Sequence, residues 1–248
     1  MEYSAEKPPM KKDPSSIAKE FISAKGEYIS GEILSKQLGL SRVGLRQKIE
    51  LLKADGFSFL AVRKLGYRLE SLPKLPSRSA FLATIALFGI DCTPLFFDSV
   101  DSTNLRALAL ATESPEGAFA VFAANQTKGR AARGAKWRSQ KKSFALSCSL
   151  SPMREVKNRG QLSEKLAKKA AGVLQKNSPL KLRVQKNAIY LNGEKLCGVL
   201  CEFLSEGDFV SSVSAGIGVN YAALPEANPN ILAANLAKVF FENLRSLK

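Results

Sequence analysis

The chain has 248 residues, 45% hydrophobic and 24% charged, which is length enough for a sizeable core in one or two domains. Lys and Arg number 37 against 22 Asp and Glu, a net of +15 at pH 7 that favours polyanions or acidic proteins as partners. Histidine is absent, which excludes imidazole as acid, base or metal ligand.

The first twelve residues, M-E-Y-S-A-E-K-P-P-M-K-K, lack an apolar signal core and read as a short disordered lead. Ile17, Phe21 and Ile22 predict a helix over about 14–24, which Gly26 can end. A short second helix, Gly31 to Leu38, is expected after a Ser30 cap, with Ile33, Leu34 and Leu38 inward. Gly39 makes a turn, and Ser41 caps a third helix, Arg42 to Ala54, with Leu45, Ile49 and Leu52 as its apolar stripe. Two strand-like runs follow, Phe57 to Val62 and Gly66 to Leu69. This order predicts a winged helix-turn-helix over residues 13–74, closed by a Pro-containing linker at 72–77. The second helix of such a motif can enter the DNA major groove. Arg42, Arg46 and Gln47 lie off the apolar stripe, and Arg46 and Gln47 are the candidates for base edges. Lys64 and Arg68 on the wing are candidates for phosphates. Residues 1–74 hold 14 basic and 9 acidic residues, a net of only +5, so tight binding calls for a homodimer on the DNA.

Residues 75–248 predict a second, α+β domain. An apolar helix is expected at 79–89 and a strand at Leu95-Phe96-Phe97. Ser102 then caps a helix carrying Leu105, Leu108 and Ala109. Phe119 to Ala124 reads as a buried strand, and a basic loop follows it, N-Q-T-K-G-R-A-A-R-G-A-K-W, Asn125 to Trp137. Its glycines allow close backbone approach, and its arginines offer forked donors to carboxylate or phosphate. By composition alone it is either an anion clamp or a solvated loop. Ser143 to Leu150 is another strand, 161–175 a helix with Leu162, Leu166, Ala170 and Val173 inward. Leu180 to Leu191 and Lys195 to Leu204 form a hairpin across Asn192-Gly193. Phe209 to Ala215 is a strand, and Gly216-Ile217-Gly218-Val219-Asn220 allows a ligand close to the backbone. The last helix carries Leu232, Leu236, Val239, Phe240 and Leu244. Cys92, Cys148, Cys197 and Cys201 fit no zinc spacing and read as small hydrophobes, which points to a reducing cytoplasm; no run is long enough to span a membrane.

In chain order the motifs are Ser102-Thr103-Asn104, Gln126-x-x-Gly129-Arg130…Gly134-x-Lys136-Trp137, Asn187-x-x-Tyr190-Leu191…Lys195-Leu196-x-Gly198, and Gly216-x-Gly218-x-Asn220. Behind a winged helix-turn-helix, this order resembles the bifunctional biotin protein ligase and biotin-operon repressor family. The resemblance implies a class II synthetase-like mixed-sheet domain. It also implies biotin, ATP and Mg²⁺ as ligands, the metal riding on the phosphates, and operator DNA and a biotin carboxyl carrier protein as partners. Ser102, Thr103, Gln126, Gly129, Arg130, Gly216 and Gly218 match biotin-contacting positions, and Trp137, Asn187 and Asn220 match adenylate-contacting ones. Arg130 is the expected catalytic cation of the loop.

Three departures stand out. Where the family's loop reads G-R-G-R-R-G-R-K-W, this chain has Ala131, Ala132 and Ala135 in place of a glycine and two arginines. The family's K-W-P-N-D aligns with Val184-Gln185-Lys186-Asn187-Ala188, without the leading lysine that faces the α-phosphate. In a strand, 184 and 186 share a face, so Lys186 is the expected substitute. The family's small C-terminal β-domain has no counterpart in these 248 residues. Three readings follow: a ligase and repressor; a regulator that keeps the ligase-like domain only to sense biotin or its adenylate, or to dimerise; and a ligase for a related acid such as lipoate.

Overall fold

The computed structural model describes residues 13–176, 179 and 181–247; the expected disordered lead and Leu180 lie outside them. The chain forms two compact units, divided between Ile90 and Asp91.

In the first unit, α1 (Pro14–Ser23), α2 (Gly31–Leu38) and α3 (Arg42–Ala54) precede the two-stranded wing of β1 (Ser58–Val62) and β2 (Gly66–Ser71). Asp13 caps α1 by accepting from the Ser15 amide at 2.8 Å, and Ser41 caps α3 by accepting from the Gly44 amide at 3.0 Å. Gly39 ends α2 in the left-handed region at φ 63°. Ile17, Phe21, Leu34, Leu45, Ile49 and Leu52 make the core. Ile33, expected inward, is 64% exposed, because the inward stripe of α2 runs through Leu34 and Ser35 instead. Helix α4 (Arg78–Leu87) packs with this unit, its Ala80 and Ala83 joining the same core, so the unit continues past the Pro-containing segment.

The second unit is built on a mixed sheet in the order β3 (Thr93–Val100), β4 (Ala118–Gln126), β5 (Ser143–Leu150), β10 (Phe209–Asn220), β9 (Glu194–Glu206), β8 (Ala188–Leu191), β7 (Arg183–Gln185); the two-residue β6 (Arg154–Glu155) also pairs with β10. Only β3 and β4 run parallel, joined by helix α5 (Thr103–Glu113); the other pairs among the described strands are antiparallel. Helices α6 (Leu162–Gln175) and α7 (Pro229–Arg245) complete the unit. Strand β5 is buried on both faces, as a central strand must be: Phe144, Leu146 and Cys148 point one way, Ala145, Ser147 and Ser149 the other. The serines meet α5, where Ser149 Oγ donates to the Ala107 carbonyl at 2.6 Å.

The Asn192-Gly193 hairpin forms as expected, with both residues at positive φ (51° and 84°). The strand before it is not continuous. Lys186 sits at φ 52° in a tight turn between β7 and β8, so it does not share a strand face with Val184. Strand β10, by contrast, runs unbroken through the glycine motif to Asn220.

Candidate functional site

A cavity of about 140 Å³ opens on the face of the sheet where α5 begins and the 125–137 loop folds over. Its construction starts at the cap of α5. Ser102, 1% exposed, accepts from the Leu105 amide at 3.5 Å. The amide and hydroxyl of Thr103 both donate to Gln126 Oε1, at 2.8 and 3.1 Å, tying the helix start to the end of β4. Ser147 on β5 donates to Thr103 Oγ1 at 2.8 Å. This chain of bonds fixes the Gln126 oxygen as acceptor, leaving its amide nitrogen to face Gly129.

Asn104 is the hub on the next side. Its Nδ2 donates to Glu202 Oε2 at 2.7 Å and to the Leu200 carbonyl at 3.2 Å, and its Oδ1 accepts from Ser214 at 2.7 Å. Glu202 in turn pairs with Arg130 at 2.8 Å. A part-buried carboxylate held this way has its charge met on both oxygens, and it holds the guanidinium against the sheet.

The basic loop is a flap laddered on itself. The Trp137 amide donates to the Gly129 carbonyl at 2.9 Å, Arg130 pairs with Lys136, and the Ala131 amide donates to the Ala135 carbonyl at 2.8 Å. Arg133 and Gly134 form its tip, both at positive φ. Ala131, Ala132 and Ala135 face the cavity; Arg133 and Lys136 do not line it. At the flap's base the Trp137 indole lies on β10. It also carries the Lys195 ammonium 6.0 Å above its centroid. Trp137 Nε1 and Asn220 Oδ1 are buried without a hydrogen-bond partner among the described residues. Such atoms mark a place for a ligand or water.

The structure thus gathers Ser102, Thr103, Gln126, Arg130, Trp137, Asn187, Gly216 and Gly218 around one cavity. Gly129 is buried at the flap's hinge, where a Cβ would sit 2.7 Å from the Trp137 carbonyl oxygen. Asn187 is pinned to β9, donating to the Val199 carbonyl at 2.6 Å, and Asn220 donates to the Lys195 carbonyl at 3.3 Å. The bare backbone of Gly216 and Gly218 lines the cavity, and protein atoms take the space that a Cβ would fill. Asn104 Oδ1 and Ser147 Oγ crowd Gly216, and the indole covers Gly218. Lys186 is exposed in its turn and does not line the cavity. Four contributors were missed: Asn104, Ser147, Glu202 and Lys195. Asn104 and Lys195 stood inside the motifs, but nothing in the sequence alone marks Ser147 or Glu202 as their neighbours.

Burial pushes the thiols of Cys92 and Cys201 up to about 12 and raises those of Cys148 and Cys197 as well, so all four stay protonated at neutral pH. In the first unit, Arg46 and Gln47 are exposed on α3 beside Val43, itself 67% exposed. Arg42 pairs with Glu32 at 3.0 Å, and Arg68 lies 5.1 Å over the Tyr28 ring. Lys64 is exposed at the wing tip at φ 70°. A groove between α3 and the wing runs past Arg42, Arg63 and Lys64.

The chain thus joins a helix-turn-helix unit to a mixed-sheet unit that holds a flap-covered polar cavity. Residues 15–68 match the HTH domain family. Residues 96–220 match the Biotin/lipoate A/B protein ligase family, and the chain belongs to it. It is 32% identical over 215 residues to the bifunctional ligase/repressor BirA of Bacillus subtilis, covering 86% of this chain and 66% of that protein. It is 29% identical over 244 residues to BirA of Escherichia coli, covering 91% and 74%. This chain therefore spans just under two thirds of the Bacillus relative's length. Among solved structures, biotin protein ligase from Aquifex aeolicus in complex with biotin and ATP superposes with a TM-score of 0.50 at 26% identity, over 61% of this chain and 70% of that one.

Proposed function

We propose that the second unit binds biotin and ATP, forms biotinyl-5′-AMP, and passes the biotin to a lysine of a carboxyl carrier protein. The observation that carries this reading is the single cavity in which Ser102, Thr103, Gln126, Arg130 and Trp137 converge under one flap. In the first step a biotin carboxylate oxygen attacks the α-phosphorus of ATP. A carboxyl–phosphate bond forms, the bridge to the β-phosphate breaks, and pyrophosphate leaves. In the second, the carrier amine attacks the carbonyl, forms the amide and releases AMP. Neither step needs histidine; both need fixed donors and excluded water.

Ser102, Thr103 and the Gln126 amide supply hydroxyls and an N–H suited to a ureido group, and Arg130 faces the carboxylate. Trp137 and Asn187 line the cavity and, with Asn220, which lies outside its lining, are assigned to the adenylate; Trp137 Nε1 and Asn220 Oδ1 await partners. Among the described residues no cluster of three or more Asp, Glu, Cys or His side chains is arranged to hold a metal. On this reading Mg²⁺ enters on the triphosphate, whose oxygens are the ligands it prefers. The cavity is smaller than the ~300 Å³ usual for ligand pockets, so the flap opens to admit substrates and closes over the adenylate.

The first unit binds operator DNA, with Arg46 and Gln47 of α3 toward the bases, Arg42, Lys64 and Arg68 toward phosphates, and a homodimer as the binding species. The setting is the cytoplasm. A second reading, a regulator that senses biotin or its adenylate without transfer, is favoured by the uncharged Ala131, Ala132 and Ala135 on the cavity wall. Titration calorimetry with biotin, followed by mass spectrometry of a carrier domain incubated with the chain, biotin and ATP, separates them. Biotin binding with a labelled carrier lysine supports transfer. Binding without label supports the sensor, and no binding at micromolar concentration removes both. Lipoate in place of biotin tests the related acid.

A further inference from the structure

We infer that Lys195, not Lys186, is the cation that holds the α-phosphate of the bound adenylate, replacing the lysine lost at position 184. This rests on the adenylate-forming reading above.

Strand register puts Lys195 there. Tyr190 of β8 pairs with Lys195, while the next residue, Ile189, pairs with Cys197; the step leaves Leu196 as an extra residue on β9. A bulge of this kind re-aims the side chains around it. In regular alternation Lys195 shares a face with Cys197 and Val199, which are 0% and 1% exposed. With the bulge it joins the face of Gly198 and Leu200 and lines the cavity instead. Its side chain lies across Gly198, where a Cβ would meet both Lys195 Cε and Nζ at 3.2 Å. The missing side chain is what gives the lysine its path. Past it the ammonium reaches over the Trp137 indole, 6.0 Å from its centroid.

Charge accounting points the same way. Arg130 lines the cavity but is matched by Glu202 at 2.8 Å. Lys195 pairs with no carboxylate among the described residues, so its charge is the unmatched one on the cavity wall. An ammonium on a flexible stem is a point charge that binds phosphate in several geometries, so a lysine entering from β9 can serve a phosphate formerly met from another strand.

The test is calorimetry of the full chain with two probes, biotin and biotinol-5′-AMP, a stable phosphodiester. Lys195→Ala is expected to weaken biotinol-5′-AMP by about 10- to 100-fold, the range for one charge-assisted bond, while biotin affinity stays within about threefold. Lys195→Arg is expected to recover most of the loss, and Lys165→Ala, on the outer face of α6, to lose none. Retained biotinol-5′-AMP affinity in Lys195→Ala overturns the inference, as does a loss seen in Lys186→Ala instead. Wild-type protein that binds biotin but gains nothing from the adenylate also overturns it. Binding of neither probe removes the ligand reading itself. Circular dichroism confirms that each variant is folded.

Discussion

The Trp137 indole lies directly on the backbone of Gly218. A Cβ built at 218 would come within 2.7 Å of three ring carbons. The flap's base and the central strand β10 are thereby locked together at the one place where the strand has no side chain. Trp137 is also the chain's single tryptophan, so tryptophan emission reports the surroundings of this one ring. Gly218→Ala is expected to push the indole outward, red-shift its emission and cost about 1–3 kcal/mol, the usual range for overpacking. An unchanged emission maximum in a folded variant contradicts the packing.

The Arg130–Glu202–Asn104 network makes a second prediction. Glu202→Ala frees Arg130 and leaves Asn104 Nδ2 with the Leu200 carbonyl alone. Removing one partner of a part-buried charged network costs about 1–3 kcal/mol. Urea unfolding is expected to show that loss, and biotin affinity to fall as Arg130 loses its position. A variant as stable as wild type with full affinity shows the network to be incidental.

Much of this site was legible in sequence, and the exceptions have physical causes. The caps at Ser41 and Ser102, the stripe of α3 and the Asn192-Gly193 hairpin follow from local chemistry that tertiary packing did not override. Helix α5 carries Leu105 and Leu108 as expected, but Leu105 is 39% exposed and the buried face runs through Thr103, Asn104, Ala107, Leu108 and Ala111. A polar cavity lies under the helix start, so its inward residues are polar and hydrophobic periodicity points elsewhere. Lys186 was placed in a strand because Lys-Asn carries no glycine to announce a turn. Bulges such as the one at Leu196 leave no sequence signal, and that bulge decides which lysine enters the cavity.

For the first unit, Arg46→Ala is expected to weaken binding to a palindromic operator in a gel-shift assay and to relax preference at one base step, by about 1–3 kcal/mol for a lost bidentate contact. Lys64→Ala is expected to weaken all sequences alike and to reduce the salt dependence. A shift by Arg46→Ala indistinguishable from wild type removes Arg46 as a reader.

Asp13 supplies a pH prediction. Burial alone would raise its carboxyl pKa, but hydrogen bonds from Ser15 and the ion pair with Arg78 at 3.0 Å outweigh it, and the folded value lies below 3.8. A depressed carboxylate stabilises the fold fully above its unfolded pKa, and the stabilisation fades as pH falls through the folded one. Asp13→Asn keeps the cap but loses the charge. Its thermal midpoint is expected to lie below wild type at pH 7, by a deficit of about 0.5 kcal/mol. The gap should close as pH drops below about 3.8. A gap that widens in acid contradicts the assignment.

The most direct measurement of the central claim is pyrophosphate release by the purified chain with ATP and Mg²⁺, with and without biotin, alongside Trp137 emission. The cavity and its flap predict release that requires biotin, falls at least tenfold in Arg130→Ala, and comes with a change in Trp137 fluorescence as the adenylate fills the site. Release no faster with biotin than without it, together with unaltered emission at saturating biotin and ATP, would contradict the account.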